Sequence, residues 1–175
     1  MRSIFLLFIL LIFTSCQNKF KNGEKHGQWK EYYPNGKVSA IGKYYKGLRN
    51  NLWEEFHING NLKLECNYIK GKPDGEYREY YSNGNLKLHG LYINGLEEGF
   101  WNAYYENGEK SEIREYKNDK KVGKWTWYYE NGKIKKVGQY GSEKRIGIWK
   151  FYDINEKKQK DEFYENGKKV KTISY

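Results

Sequence analysis

The chain has 175 residues, with 32 Lys and Arg against 22 Asp and Glu, a formal net charge of +10, and 18% aromatic residues. A mean hydropathy of −1.04 excludes an ordinary aliphatic core, and only two cysteines exclude a disulfide framework. The charge excess is even, +5 over residues 17–96 and +4 over residues 97–175, which reads as a solvated surface and speaks against a nucleic-acid arm.

The chain opens with "MRSIFLLFILLIFTSC", in which Arg2 precedes an apolar run from Ile4 to Phe13, and Thr14 and Ser15 lead into Cys16. Ten apolar residues are too few to span a bilayer as a helix and fit the core of a signal peptide. A cysteine directly after "FTS" makes the segment similar to a bacterial lipoprotein signal. That resemblance implies a signal helix over residues 1–15, lipid on a new terminal Cys16, and a short linker over residues 16–19. Two or three acyl chains would then anchor the protein, since one chain alone binds only marginally. "QNKF" after the cysteine carries no acid and implies the outer membrane, facing the periplasm. Ordinary secretion with cleavage near Ser15 is the alternative. Beyond Cys16 only Cys66 remains, so no internal disulfide, metal site or redox pair is expected.

From residue 20 to residue 175 the chain repeats itself. Asn-Gly pairs begin at Asn35, Asn59, Asn83, Asn107 and Asn131, 24 residues apart each time, and Asn155 keeps the register but precedes Glu156. The same step links Gly27, Asn51, Gly75, Gly99, Gly123 and Gly147. It also links Trp29, Trp53, Tyr77, Trp101, Trp125 and Trp149, then the column beginning at Tyr32, and a last one running from Phe20 through Tyr44 to Tyr164. Each unit carries two turn signals, the Asn-Gly pair and a glycine-rich segment ahead of the Trp column. An Asn-Gly pair between aromatic runs predicts a type I′ hairpin, because both residues tolerate positive φ. Two strands per unit follow, one of about six residues such as Trp29 to Pro34 and one of about nine such as Lys37 to Tyr45. "FKNG" at Phe20 opens the array as a half-unit, and "KKVKTISY" closes it with a last strand whose lysines discourage sheet-to-sheet pairing. Beyond the signal nothing reads as a helix. The expected fold is all-β, an elongated, twisted single antiparallel sheet of six stacked 24-residue hairpins with terminal half-repeats.

"GEYREYYSNGNLKLHGLYINGLEEG" and "GKWTWYYENGKIKKVGQYGSEKRIG" resemble the MORN-repeat variant, a repeat common in bacterial proteins that include antitoxin-like proteins of the YwqK type. The resemblance spans residues 20 to 170. It implies stacked hairpins and a scaffold or binding role with no catalytic residues to carry over.

A single sheet has no opposing layer, so rings must pack sideways along its face. Residues of one column sit two strands apart, roughly 9–10 Å, and a ring from the strand between must fill the gap. The Tyr32 and Tyr44 columns are expected to interleave in this way. Gly42, Gly90 and Gly138 lie two residues before the Tyr44 column on its face and read as clearance for a neighbouring ring, with Cys66 as a buried, inert thiol in the same column.

Two surfaces are candidates for a partner. Tyr33, Tyr81, Tyr105 and Tyr129 point opposite to the Tyr32 column, and Trp127 joins them, an aromatic stripe for a glycan or a peptide strand unless that face simply packs. Lys120, Lys121, Lys124, Lys133, Lys135 and Lys136 form the densest basic segment, which could lean on anionic headgroups at roughly 1 kcal/mol per lysine or remain solvated. Glu31, Glu55 and Glu79 form a carboxylate column, too widely spaced to share a metal, and are expected to pair with cross-strand lysines. His26, His57 and His89 fall in three different columns, and no phosphate loop, nucleophile elbow or metal cluster appears. The expectation is a non-enzyme without cofactor, metal or nucleic-acid partner. It would be a cell-envelope lipoprotein that binds a protein or an envelope glycan or lipid, in an unspecified oligomeric state. The alternatives are an antitoxin or immunity protein against a toxin, and a structural spacer.

Overall fold

Strands begin wherever a turn releases the chain, and the positions of positive φ locate both kinds of turn. The computed structural model describes residues 18–175; the expected signal helix and Cys16 lie outside the described residues. Fourteen strands, numbered β1 to β14, form one open sheet in sequence order, with every neighbouring pair antiparallel. At ~4.8 Å per strand this ribbon runs about 60 Å. The half-unit is β1 (Lys19–Lys21), and the closing strand is β14 (Lys168–Ser174). Between them lie six rungs: residues 24–47, 48–71, 72–95, 96–119, 120–143 and 144–167. Rung 1 pairs β2 (Glu24–Tyr32) with β3 (Val38–Tyr45), nine and eight residues long.

Both turns lie where expected, but the type I′ geometry is not at the Asn-Gly column. At the Asn-Gly column only the glycine has positive φ, 81° at Gly36. The Gly36 N–H donates to Tyr33 O at 2.9 Å and the Tyr33 N–H to Lys37 O at 2.8 Å, which makes a three-residue loop ending in a glycine bulge. Asn35 recurs for its side chain: its Oδ1 accepts from the Lys37 N–H at 3.1 Å. One unit on, Asn59 Nδ2 also donates to Ser82 O at 2.7 Å, and Asn83, Asn107 and Asn131 repeat the bond, binding rungs 2 to 5 each to the next. The type I′ turns lie at the other rim. Lys46 and Gly47 both have positive φ, 51° and 75°, as do Asn94 and Gly95, 54° and 89°. The first strand is longer than expected because the Gly27 column is not a turn. It is a bulge inside the strand, with Asn51 at φ 62° where the other rungs use glycine.

The rings also sort differently. Trp29, Trp53, Trp101, Trp125 and Trp149 are the buried residues of their column, and they interleave with the Tyr44 column. Trp29 meets Tyr44 at 5.4 Å and Tyr44 meets Trp53 at 4.9 Å between centroids, both edge to face. The Tyr32 column does not take part: Tyr32 lies on the opposite face and is 57% exposed. A Tyr ring at that position is one residue out of step with Trp29, and alternation along a strand sends it to the other side. The glycine clearance holds. A Cβ at Gly42 would lie 2.3 Å from Trp53, at Gly90 2.1 Å from Trp101, and at Gly138 2.2 Å from Trp149. Cys66 fits the same column because its neighbour is Tyr77, the one rung with a smaller ring there. Cys66 is 1% exposed, and burial pushes its thiol up to about 11.

Candidate functional site

The face that carries the Trp spine has three rows, set by register. Its middle row is the spine itself. One flanking row begins at Lys25 and continues through Arg49, Pro73, Glu97, Lys121 and Arg145. Where this position is a cation it lies over two rings at once. Lys25 Nζ is 4.8 Å from the centroids of Trp29 and Tyr44, and the Arg49 guanidinium is 4.3 Å from Trp53 and 5.5 Å from Tyr68. Lys121 and Arg145 repeat the arrangement over Trp125 with Tyr140 and over Trp149 with Tyr164. Such contacts contribute about 0.5–1 kcal/mol each at exposed positions.

The other flanking row changes character along the ribbon. Its pairing runs Glu31–Ala40–Glu55–Leu64–Glu79–Leu88 through rungs 1 to 3. Through rungs 4 to 6 it runs Ala103–Glu112–Trp127–Lys136–Phe151–Lys160. In the first half, acids on one strand alternate with aliphatics on the next. In the second half, rings alternate with cations from Trp127 onward. The acids of the first half neutralise their cations across the rings: Lys25 Nζ lies 3.6 Å from Glu31 and Arg49 3.1 Å from Glu55, while Lys87 reaches Glu79 at 2.7 Å. Cross-strand lysines pair with the Glu31 column at Glu55 and Glu79, through Lys63 and Lys87, whereas Lys25 and Arg49 reach Glu31 and Glu55 along the same strand. In the second half Lys121, Lys136 and Arg145 take part in none of the ion pairs among the described residues.

There the face forms a recess of about 280 Å³ lined by Tyr105, Ser111, Glu112, Trp127, Tyr128, Lys135, Lys136 and Phe151. Trp127 sits between Trp125 and Trp149, with centroids 5.7 and 5.6 Å away. Lys136 Nζ lies 3.7 Å from the Trp127 centroid. Burial lowers the Lys136 pKa, and Arg145 pushes it the same way. Glu112, itself held by Arg114 at 2.6 Å, and Glu162 push it back only in part. Lys135 is the extra residue of the bulge opposite Trp127 and Tyr128, with its Nζ 5.4 Å from the Tyr129 ring.

The candidate stripe and the candidate basic segment thus meet in part. Trp127, Tyr105, Lys135 and Lys136 come together. Tyr33 and Tyr81 belong to other rungs, and the hydroxyls of all four stripe tyrosines are already engaged. Tyr33 donates to Phe56 O at 2.6 Å, Tyr81 to Tyr104 O at 2.8 Å, Tyr105 to Tyr128 O at 2.7 Å and Tyr129 to Tyr152 O at 2.9 Å. These tyrosines clamp four of the five rung junctions, and His57 takes the same place against Tyr80 O, 2.9 Å away, at the remaining one. The basic segment is dispersed: Lys133 lies 3.8 Å from Glu156, Lys124 is exposed on the strand beside buried Trp125, and Lys120 is exposed at the start of its strand. Phe151, Ser111, Glu112 and Tyr128 were not anticipated from sequence. The signal for Phe151 was present, since the Glu31 column continues as Ala103, Trp127 and Phe151.

A 24-residue module of two strands, an Asn-Gly loop, a bulge glycine and an interleaved Trp and Tyr is the unit of this sheet. The family model for the MORN repeat variant matches residues 25–46, 49–70, 73–94 and 121–141, which are rungs 1, 2, 3 and 5. The chain belongs to the MORN-repeat variant family. Repeats of this family are in general non-catalytic binding repeats. Rungs 4 and 6 fall outside the matched ranges; in rung 6 Asp153 stands in the rim-tyrosine column and Glu156 in the loop-glycine column. No curated protein matches the chain. Among the described residues no group of three or more His, Cys, Asp and Glu is placed to hold a metal ion.

Proposed function

We propose that this MORN-repeat protein is a non-catalytic binding module of the bacterial cell envelope, held by lipid on Cys16 at the outer membrane and facing the periplasm. Its contact surface is the spine face of rungs 4 to 6, and its partner is anionic. The observation that carries this is the loss of the acid row: Trp127 and Phe151 stand where Glu31 and Glu55 stand, and Lys121, Lys136 and Arg145 take part in no ion pair among the described residues. A solvated spacer gains nothing from half-buried cations outside ion pairs, whereas a binding surface gains both charge complementarity and apolar anchors.

The test is a photo-crosslinking residue placed at Phe151 and, in a second strain, at Glu55, followed by mass spectrometry from intact cells. Envelope material should be captured at Phe151 and much less at Glu55. Equal capture at both positions, or recovery of the protein only from cytosol and without lipid, overturns the proposal. Capture of one toxin at Phe151 would move the reading to the neutralising role found among antitoxin-like relatives of the repeat.

A further inference from the structure

The recess at Trp127 has chemistry that narrows the partner further, granted that this face is the binding surface. The main-chain groups beneath it are committed to the sheet: Glu112 pairs with Trp127, Trp127 with Lys136, and Lys136 with Phe151. A peptide laid here would find no backbone partner for its own N–H and C=O groups, which cost free energy when buried unpaired. Recognition has to come from side chains. Those present come from Tyr105, Trp127, Tyr128 and Phe151, the hydroxyl of Ser111, the ammonium groups of Lys135 and Lys136, and the carboxylate of Glu112, which Arg114 holds at 2.6 Å.

The volume, about 280 Å³, is at the lower bound of small-molecule sites, about 300–1,000 Å³. It holds one ring-sized unit. Rings beside two ammonium groups suit a unit that presents apolar C–H groups and an anion on the same small frame, with hydroxyls for the remaining donors and acceptors. Inorganic phosphate has no apolar part, and an acyl chain has no use for the lysines. The same position in rungs 1 and 2 is lined by Glu31, Ser39, Ala40, Glu55 and Lys63, where two carboxylates outnumber one ammonium group and oppose an anion, and it offers no ring beyond Tyr33 and Phe56.

We infer that the Trp127–Lys136–Phe151 recess is a subsite for an acidic sugar, a hexuronate-type residue of an anionic glycan, with its carboxylate on Lys136 and Lys135 and its C–H face against the rings.

The experiment titrates the full chain, in detergent, with trigalacturonate, and follows tryptophan fluorescence and calorimetric heat. Controls are neutral galactotriose, inorganic phosphate and triglutamate. Trigalacturonate should bind saturably and at least tenfold more tightly than each control. The double variant W127E/K136A, which installs the rung-1 residues and so should fold, loses at least tenfold in affinity. Lys136→Gln alone, which keeps the ring, should lose most of that. Absence of saturable uronate binding overturns the inference, as does equal binding of any control or of both variants. If uronate fails while crosslinks at Phe151 persist, the sugar is rejected and the binding surface stands.

Discussion

Rungs 1 to 3 and rungs 4 to 6 share a spine, two turn types and the same rim clamps, yet one row of side chains sets them apart. In the first half Glu31, Glu55 and Glu79 close ion pairs over the rings. In the second half Trp127 and Phe151 replace them, and Lys136 enters between. The comparison separates what a repeat needs from what a protein does with it. Positions identical in all rungs serve the sheet, and positions that switch midway are free to serve something else.

That division can be broken first at the spine. Trp53→Ala and Trp149→Ala, one in each half and both fully buried, should each destabilise by about 3–5 kcal/mol in urea unfolding. A much smaller cost in the second half would mean that its rings are not structural. Next comes the size exchange at Cys66. Tyr77→Trp should destabilise by about 1–3 kcal/mol through overpacking against Cys66, and adding Cys66→Gly should recover most of it by restoring the Gly42–Trp53 arrangement. Simple additivity of the two changes would refute that account. The rim clamps should be equivalent in the two halves: Tyr33→Phe and Tyr129→Phe each remove one hydrogen bond to a carbonyl, about 0.5–1.5 kcal/mol, without altering uronate binding. An effect confined to acid is the pH sensitivity of the last rung. Glu162 accepts from Lys160, and despite the opposing effect of burial its carboxyl is held down to about 2, with Tyr164 and Lys169 adding to it. A depressed folded value stabilises above the ordinary carboxylate pKa of 4.5 and is lost as pH falls toward 2. Melting between these pH values should therefore drop more steeply in the wild type than in Glu162→Gln.

The period, the strand count per unit and the glycine clearance were legible because each leaves a mark at a fixed spacing. The turn types were not, because Asn-Gly can serve either as a type I′ pair or as a type I loop ending in a left-handed glycine. What decides is the loop length, and the Asn side chain earns its place by bonding across rungs, a non-local contact. The spine was misassigned to the Tyr32 column for a different reason. Tyr32 lies three residues from Trp29 on one strand, so alternation places it on the opposite face, and the Trp column is the one that shares a face with the Tyr44 column through the Trp29–Gly42 and Gly27–Tyr44 pairs. Of the recess, Trp127, Tyr105, Lys135 and Lys136 were named from sequence, but as members of two separate surfaces. Phe151 was missed because the acid column was followed only to Glu79.

The strict order of neighbours, from β1 to β14 without a crossover, has a consequence for how the chain forms and changes length. Every loop that closes is short, so assembly can start at any hairpin and spread outward in both directions, and topology of this kind favours rapid folding. Whole modules can be duplicated or deleted without rethreading anything, which leaves reach as an adjustable dimension while the chemistry of a chosen segment is kept.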